Sequence, residues 1–293
     1  MFPLDRLNTV TEKPEDFTLL EILPALKWEL PLTLHTPQSE TITIAVVDTE
    51  TTGIDAKKDD VIELGFVIAT VEMATGKLCT VKRMGHFFNE PKEPIPELIT
   101  QITGITDDDV RGHAITMSTI MEVFSGIDLI VAHNAKFDRA FIDNHIAELG
   151  FAALPIPWAC SIYDVDWRTL QYESNSLGYL LFKKGYFFNA HRASIDCLAT
   201  LFMLHVEGEA LVRVVKAAFT PIIDLRVSSR FEAKDALKAL GCQWDGELRQ
   251  WHKVISGTQD DIDKEISKLK TADSIGKVVV EPIPCSPLSC YAS

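Results

Sequence analysis

The chain has 293 residues, of which 46% are hydrophobic and 24% are charged, and its net charge at pH 7 is −14. This composition is that of a folded globular protein, and the length suits one main domain with a smaller addition. It excludes a membrane protein, because no apolar run approaches the ~18 residues needed to span a bilayer. It also argues against a broad duplex-binding surface, which draws its affinity from Lys and Arg. The N-terminal residues lack a secretory signal pattern, so a cytoplasmic protein is expected.

Residues 1–40 are punctuated by prolines and have no strong period, so we treat them as an extension packed on the main domain. Within them, a proline and two acids open the segment KPEDFTLLEIL, which is typical of the first turn of a helix. From Thr41 three strand-like runs follow, ITIAVVDT, VIELGFVIATVE and LCTVKRMGHFF. The segment MATGK, with Gly76 in a turn, joins the second run to the third. An antiparallel meander is therefore expected.

Helices and strands alternate after the meander. Helices are predicted near PIPELITQIT, across TMSTIMEVFSG, from about Lys136 to Leu149, across SLGYLLFKKG and across SIDCLATLFMLHVEG, with a buried strand at DLIVAH. The last of these helices is apolar on nearly all sides, which indicates deep burial. Residues 41–220 are therefore predicted to form an α/β domain, in which helices flank a mixed sheet made of an antiparallel meander plus parallel strands.

The character of the sequence changes near Pro221. Residues 221–272 are predicted to form a small α+β unit: a helix, a strand, a turn at Asp245–Gly246, a second strand and a helix. Trp244 and Trp251 suit either the core of such a small unit or stacking on nucleic-acid bases. The final segment, residues 273–293, is rich in Pro and Ser without periodicity and is predicted to be disordered.

Two carboxylates end the first strand of the meander. Asp48 and Glu50 stand two residues apart in IAVVDTETTG, so both side chains project from one face of the strand. A pair on one face can share a cation. The alternative is that Asp48 simply starts the turn leading to Thr52 and Gly53, as acids often do.

Two further motifs follow the later strands and helices. In LIVAHNAKFDRAF, Asp138 lies in the first turn of the long helix, a position at the carboxyl end of a buried strand where ligands gather. An acid there is also ordinary helix-capping chemistry. In FNAHRASIDCLATLF, His191 precedes a helix and Asp196 lies in its early turns, although a histidine in that place is often a surface or cap residue.

The combination and order of the three motifs, D-x-E-T-T-G, H-N-x-x-F-D and H-R-A-x-x-D, resemble the DEDDh exonucleases. This is the DnaQ-like superfamily of the bacterial proofreading subunit, RNase T and oligoribonuclease. The resemblance includes the segment ITGITDDDV, covers about Thr41 to Glu207, and extends to LKALGCQW and QWHKV, which are similar to a small domain that some DnaQ-like proteins carry. It implies an RNase H-like fold and metal-dependent removal of mononucleotides from 3′ ends.

By this resemblance, Asp48, Glu50, Asp138 and Asp196 would hold two divalent cations, Mg²⁺ or Mn²⁺, and His191 would be the general base. Hard cations of this kind prefer carboxylate oxygens, and an imidazole can accept a proton near neutrality. Glu63 is expected to have a structural role instead. The residues expected to contact substrate are Thr49, Thr51, Thr52, Gly104, Ile105, His133 and Asn134, with Ile105 as an apolar contact for the terminal nucleotide.

The motifs leave several functions open. The first is a 3′-to-5′ exonuclease acting on DNA, expected to be single-stranded, and the second is an RNA exonuclease of the RNase T or oligoribonuclease kind. A proofreading subunit docked on a polymerase, or a member of a repair complex, is a third. A binding protein that has lost catalysis is a fourth, although the retention of all four acids and the histidine opposes it.

Overall fold

The computed structural model describes residues 7–246, 248–273, 277–286, 288 and 291. Contacts divide the chain into two compact units, one running to Val215 and the other beginning at Lys216. Tyr291 groups with the first unit. Within the described ranges, no helix combines the length and the apolar character that a membrane crossing requires.

A six-stranded sheet forms the centre of the first unit. The strands of this unit are Glu21–Ile22 (β1), Leu32–Thr33 (β2), Thr41–Thr51 (β3), Val61–Glu72 (β4), Leu78–Phe88 (β5), Leu129–Ala132 (β6), Trp158–Cys160 (β7) and Tyr186–Phe187 (β8). The order in the sheet is β2-β5-β4-β3-β6-β7. Strands β3, β4 and β5 pair antiparallel, whereas β6 runs parallel to both β3 and β7. The predicted meander and the mixed sheet of the RNase H-like fold class are thus confirmed.

The helices follow the sheet in the predicted alternation. They are Leu7–Glu12 (α1), Glu97–Thr103 (α2), Asp107–Val110 (α3), Met117–Phe124 (α4), Ala135–Glu148 (α5), Leu177–Lys183 (α6), Ala193–Val206 (α7) and Ala210–Phe219 (α8). Short 3₁₀ turns occupy Pro14–Asp16 and Pro24–Lys27. Neither β7 nor α8 was expected from the sequence.

The two faces of the sheet pack against different helices. Side chains of α4 and α5 share a core with alternate residues of the sheet, among them Val47 on β3 and Leu64 on β4. Helix α7 packs on β3 and β4, and its first residue, Ala193, meets the intervening β4 positions Glu63 and Gly65. Because successive side chains of a strand point to opposite faces, α7 covers the face opposite α4 and α5. Its burial among apolar neighbours agrees with its all-round apolar sequence.

The first forty residues correct one expectation. The segment KPEDFTLLEIL contains a 3₁₀ turn and the strand β1 instead of a helix, since the backbone of Glu21 pairs with that of Tyr186 on β8. Farther along, β2 adds an edge strand to the sheet through Leu32 and Val81. These backbone partners lie far away in sequence, so a local helix-start pattern did not reveal them.

The second unit is built on a four-stranded antiparallel sheet. Its strands are Ile222–Ser228 (β9), Gln243–Asp245 (β10), Gln250–Ser256 (β11) and Val279–Cys285 (β12), its helices are Lys234–Ala239 (α9) and Gln259–Lys270 (α10), and a 3₁₀ turn covers Phe231–Ala233. The strand order is β10-β11-β9-β12. The unit has a core of its own, which includes the fully buried side chains of Leu225, Leu237 and Leu269.

The expectation of a disordered tail is wrong for residues 279–285. These residues form β12, which pairs with β9 from Val279 opposite Ser228 to Cys285 opposite Ile222. Strand β12 lies at the edge of its sheet, where Pro282 and Pro284 are tolerated because an edge strand leaves one row of backbone groups unpaired. The prolines misled the sequence interpretation because they count against a central strand but not against an edge strand.

Candidate active site

Three of the predicted carboxylates converge on the face of the sheet that α7 covers. One side-chain oxygen from each of Asp48, Glu50 and Asp196 lies within 4.8 Å of the others. Asp48 and Glu50 come from the carboxyl end of β3, and Asp196 comes from the first turn of α7. All three keep partial contact with solvent. Their oxygens are close enough for one divalent cation to contact them together, and hard cations favour such ligands.

A close approach of backbone brings α7 to this position. Gly65 on β4 lies opposite Asp48 in the sheet register. A Cβ atom at Gly65 would lie 2.2 Å from the carbonyl carbon of Ala193 and 2.4 Å from the amide nitrogen of Ser194. Since real Cβ atoms do not come this close to backbone, only glycine at this position allows α7 to begin directly against the sheet. Asp196 then lies one helical turn away from that contact.

Asp138 reaches the end of β3 from the other side. It lies in the first turn of α5, its side chain is buried, and its Oδ1 accepts hydrogen bonds from both the backbone N–H and the hydroxyl of Thr49, each at 2.9 Å. Thr49 points to the face opposite Asp48 and Glu50, because it alternates with them along the strand. Asp138 therefore approaches the acids without joining the group of three, and among the described residues that group is Asp48, Glu50 and Asp196.

Burial raises the pKa values of all four acids, and the charges of neighbouring acids raise those of Asp48 and Glu50 further. Burial, followed by the charges of the neighbouring acids, raises the pKa of Asp48 well above its usual value. Burial is also the main cause that raises the pKa of Glu50 to about 8, of Asp138 to about 7 and of Asp196 to about 6. The hydrogen bonds from Thr49 moderate the shift at Asp138. Because these neighbouring carboxyl groups resist ionisation, a cation bound between them would stabilise their charged forms.

Glu63 organises the start of α7. Its side chain is fully buried and faces Glu50 across the β3–β4 pair. The carboxylate accepts a hydrogen bond from the backbone N–H of Ala193 at 3.1 Å and from the guanidinium of Arg192 at 3.1 Å, and it contacts the imidazole of His86. This set of contacts holds the first turn of α7. Glu63 therefore positions the start of α7. Its partners Arg192 and His86 were not singled out in the sequence analysis.

His191 lies at the rim of a cleft next to Asp196. The residue is exposed and its backbone is in the left-handed region, with a φ of 69°. The following residue, Arg192, donates its backbone N–H to Asp196 Oδ2 at 3.1 Å. The cleft has a volume of about 410 Å³ and is bordered by His191, Asp196 and several aromatic side chains, among them Phe182 and Phe187. An exposed imidazole at this rim is free to approach a molecule that enters the cleft.

Three predicted substrate contacts lie at backbone turns or directly beside them. Thr52 lies directly after β3, where its hydroxyl accepts from the N–H of Asp60, and Thr51 is buried with its hydroxyl donating to the carbonyl of Gly53. Gly104 ends α2 in the left-handed conformation, with a φ of 72°, and the space around its Cα is open.

Ile105 corrects an expectation. Its side chain is 1% exposed and packs with Ile62, Ile95 and Val110 in a small apolar cluster. The side chain therefore cannot be the apolar contact for a terminal nucleotide in this conformation. Its β-branched apolar character was compatible with either place, and only the packing distinguishes them.

His133 and Asn134 lie between β6 and α5. His133 Nδ1 lies 2.7 Å from the hydroxyl oxygen of Ser161, and burial lowers the pKa of His133 to about 4. At neutral pH it is therefore uncharged, which removes the attraction that a protonated imidazole would offer a phosphate. Asn134 adopts the left-handed conformation before α5, with a φ of 81°, a geometry that asparagine tolerates better than most residues.

Comparison with known proteins places the chain in a family. The profile of the Exonuclease family matches residues 45–204, which include all five predicted catalytic residues. The DNA polymerase III PolC-type of Listeria innocua is 37% identical over 114 residues, 38% of this chain and 7% of the polymerase. The corresponding polymerase of Clostridium perfringens is 34% identical over 171 residues, 54% of this chain and 11% of the polymerase. The chain thus matches about a tenth or less of the length of these relatives.

Solved structures with a similar chain path include two nucleases. One is exonuclease X in complex with a 5′-overhanging duplex DNA, with a TM-score of 0.43 and 21% identity over 59% of this chain and 99% of the other. Another is a zinc-bound complex of Escherichia coli ExoI with single-stranded DNA, with a TM-score of 0.49 and 16% identity over 64% of this chain and 48% of the other.

A mixed α/β sheet that carries a cluster of carboxylates at the end of an inner strand defines a protein able to hold a divalent metal ion. The family profile covers more than half of the chain, so the chain belongs to the Exonuclease family. The expectation of an exonuclease, drawn from the three motifs, is thus confirmed at the level of the family.

Proposed function

We propose that the chain releases nucleoside monophosphates from the 3′ ends of DNA, with single-stranded ends as the favoured substrate. The observation that carries the proposal is the convergence of Asp48, Glu50 and Asp196 from separate elements to within 4.8 Å. The preference for DNA is supported by the curated relatives, which are DNA polymerases by name. Because this chain matches only a small part of them, their whole activity does not transfer.

In this proposal, the four acids form the binding site for two divalent cations, Mg²⁺ or Mn²⁺. Asp48 would bridge the two positions, Glu50 and Asp196 would complete the first, and Asp138 would serve the second. A pair of such ions, when bound, supplies the positive charge that stabilises the attacking and leaving oxygens of a phosphodiester. The raised pKa values of the acids support this assignment, because the carboxyl groups need that charge to ionise together.

The remaining residues bind and orient the 3′ end and handle the proton. His191 would accept the proton of the attacking water at an imidazole nitrogen, for which its exposed position beside Asp196 is suitable. Thr49 holds Asp138 through two hydrogen bonds, so its role is to position that carboxylate. The backbone from Glu50 to Thr52 and the turn at Gly104 would seat the terminal nucleotide, with His133 and Asn134 near the scissile phosphate.

The proposal is tested by following product lengths from 5′-labelled single-stranded DNA and RNA of the same sequence, with free or blocked 3′ ends. We expect stepwise shortening of unblocked DNA in Mg²⁺ or Mn²⁺ and none in EDTA. Asp48→Ala should abolish the shortening, whereas Glu122→Ala, which removes an exposed carboxylate on α4, should not. Cleavage by purified Asp48→Ala would refute the mechanism, and faster shortening of RNA would reverse the substrate assignment.

We also propose that the exonuclease acts beside a DNA polymerase, because the matching segment of each curated relative belongs to a polymerase chain by name. Affinity capture of replication proteins by the purified chain tests this association. Failure to retain a polymerase subunit at low salt would argue for a free exonuclease.

A further inference from the structure

The second unit contains a groove that the exonuclease function does not use. It has a volume of about 560 Å³ and lies against the β10–β11 hairpin, the end of β9 and the start of α9. Every residue that lines it belongs to the second unit. The side chains that matter for its chemistry are Arg230, Phe231, Lys234, Lys238, Trp244 and Arg249.

The groove is basic in a strongly acidic chain. Among the described residues, its lining includes two arginines and two lysines and no carboxylate, although the chain as a whole carries a net charge of −14. Arg230 forms a two-point ion pair with Asp273 at 2.7 and 2.9 Å. In the described part of the chain, no ion pair engages Lys238 or Arg249. These cations therefore remain available to a negatively charged ligand.

Two aromatic rings in the groove are exposed to solvent. Phe231 is 76% exposed and Trp244 is 53% exposed. Trp244 lies opposite Trp251 across the hairpin, with ring centroids 5.4 Å apart. Trp251 is the partner that packs on the core of the unit, so the sequence-based alternative of a core role applies to Trp251 and not to Trp244. Lys234 places its ammonium 4.6 Å from the centre of the Phe231 ring, which keeps a cation directly beside an exposed aromatic face.

We propose that this groove is a second binding site for single-stranded nucleic acid. Exposed rings flanked by Lys and Arg match the two parts of such a ligand, because unpaired bases stack on aromatic faces while the backbone phosphates meet cations. A duplex presents few free base faces. An acidic peptide could pair with the cations of the groove, but it brings no flat rings to stack on Phe231 and Trp244. The proposal goes beyond the exonuclease site and does not require that site to be active.

Binding is measured with the full chain in EDTA, so that metal-dependent cleavage does not consume the probe. The probe is 5′-fluorescein-labelled dT30, followed by fluorescence anisotropy. We expect Phe231→Ala/Trp244→Ala to bind at least about tenfold more weakly, since each base–ring stack that is lost weakens binding several-fold or more. Trp244→Phe, which keeps an aromatic ring at this position, should retain most of the wild-type affinity for dT30. Equal binding by the wild type and the double alanine variant would overturn the proposal.

The charge contribution has a matched control in the same unit. Lys234→Glu/Lys238→Glu changes the groove, whereas Lys264→Glu/Lys270→Glu makes the same change in net charge on the exposed side of α10. The groove variant should flatten the dependence of log K on log salt by about 1.4, because each phosphate contact contributes about 0.7 for single strands. Equal weakening by both variants would reduce the effect to net charge and would overturn the groove assignment.

Two comparisons separate this proposal from its rivals and from the exonuclease function. Polyglutamate should compete poorly with dT30 at equal charge concentration, and competition as strong as that of dT30 itself would identify an acidic peptide site instead. Glu122→Ala, on the exposed side of α4 in the first unit, should bind dT30 as the wild type does. A chain that binds through Trp244 but never shortens DNA would refute the proposed function alone, whereas one that shortens DNA but binds without Trp244 would refute the groove alone.

Discussion

Gly65→Ala is expected to inactivate the exonuclease although Gly65 contacts no substrate. The backbone at Gly65 does not have a positive φ, so alanine is conformationally allowed there. The difficulty is space, because the new Cβ would lie 2.2 Å from the carbonyl carbon of Ala193, and an ordinary contact begins at 3.4 Å. The start of α7 must therefore move away from the sheet by about 1.2 Å.

That movement carries Asp196 away from Asp48 and Glu50, because α7 moves as a rigid element. A displacement of about 1 Å at a catalytic group can cost about 100-fold in rate, and we expect a loss of this size in the rate of nucleotide release. Overpacking of this kind also costs about 1–3 kcal/mol of stability. The assay compares three measurements for the purified variant: the rate of 3′ shortening of labelled DNA, the affinity for Mn²⁺ by calorimetry, and the melting temperature.

Gly85→Ala provides the matched control on the neighbouring strand. Its new Cβ would meet the tip of the Phe66 ring at 2.9 Å, a side chain that can shift, and no predicted catalytic residue touches it. This variant should remain within about twofold of the wild-type rate. If Gly65→Ala retained full activity and Mn²⁺ affinity while folded, the claim that the close approach of α7 builds the site would be refuted.

Three further predictions concern protonation, positioning and the division of the chain. The pKa of Glu50 rises from 4.5 to about 8 and that of Asp138 to about 7, so between pH 4.5 and 8 the folded chain without metal binds more protons than the unfolded chain. Its melting temperature in EDTA should therefore fall as pH increases from 5 to 8, and Mg²⁺ should restore it. A melting temperature that does not change with pH would contradict the pKa shifts. Glu63→Ala removes the acceptor of the buried Ala193 N–H and should lower the free energy of unfolding by about 1–3 kcal/mol. Glu63→Gln keeps an acceptor and should lower it less. Equal losses for the two variants in denaturant titration would show that this hydrogen bond does not stabilise the fold. Leu237→Ala, in the core of the second unit, should destabilise that unit by about 2–5 kcal/mol without changing Mn²⁺ affinity, and loss of Mn²⁺ binding would show that the units do not fold independently.

The sequence by itself indicated the exonuclease family, the acids proposed for its site and the order of the main elements. Alternation placed Asp48 and Glu50 on one face of β3, and helical periodicity placed Asp138 and Asp196 in the first turns of two helices. These are local properties, since the direction of a side chain follows from the period of the element that carries it. The meander could be predicted in the same way, because Gly76 supplies the positive φ that its turn needs.

Only the tertiary structure decided how closely the acids meet and what holds them there. Asp196 joins Asp48 and Glu50 because Gly65 lets α7 approach the sheet, whereas Asp138 arrives from the opposite face and is held by Thr49. The sequence also could not predict that the side chain of Ile105 is buried, that β12 pairs with β9 or that the ring of Trp244 is exposed. Each depends on partners distant in the chain, and burial and backbone pairing are set by the packing of whole elements and not by local pattern.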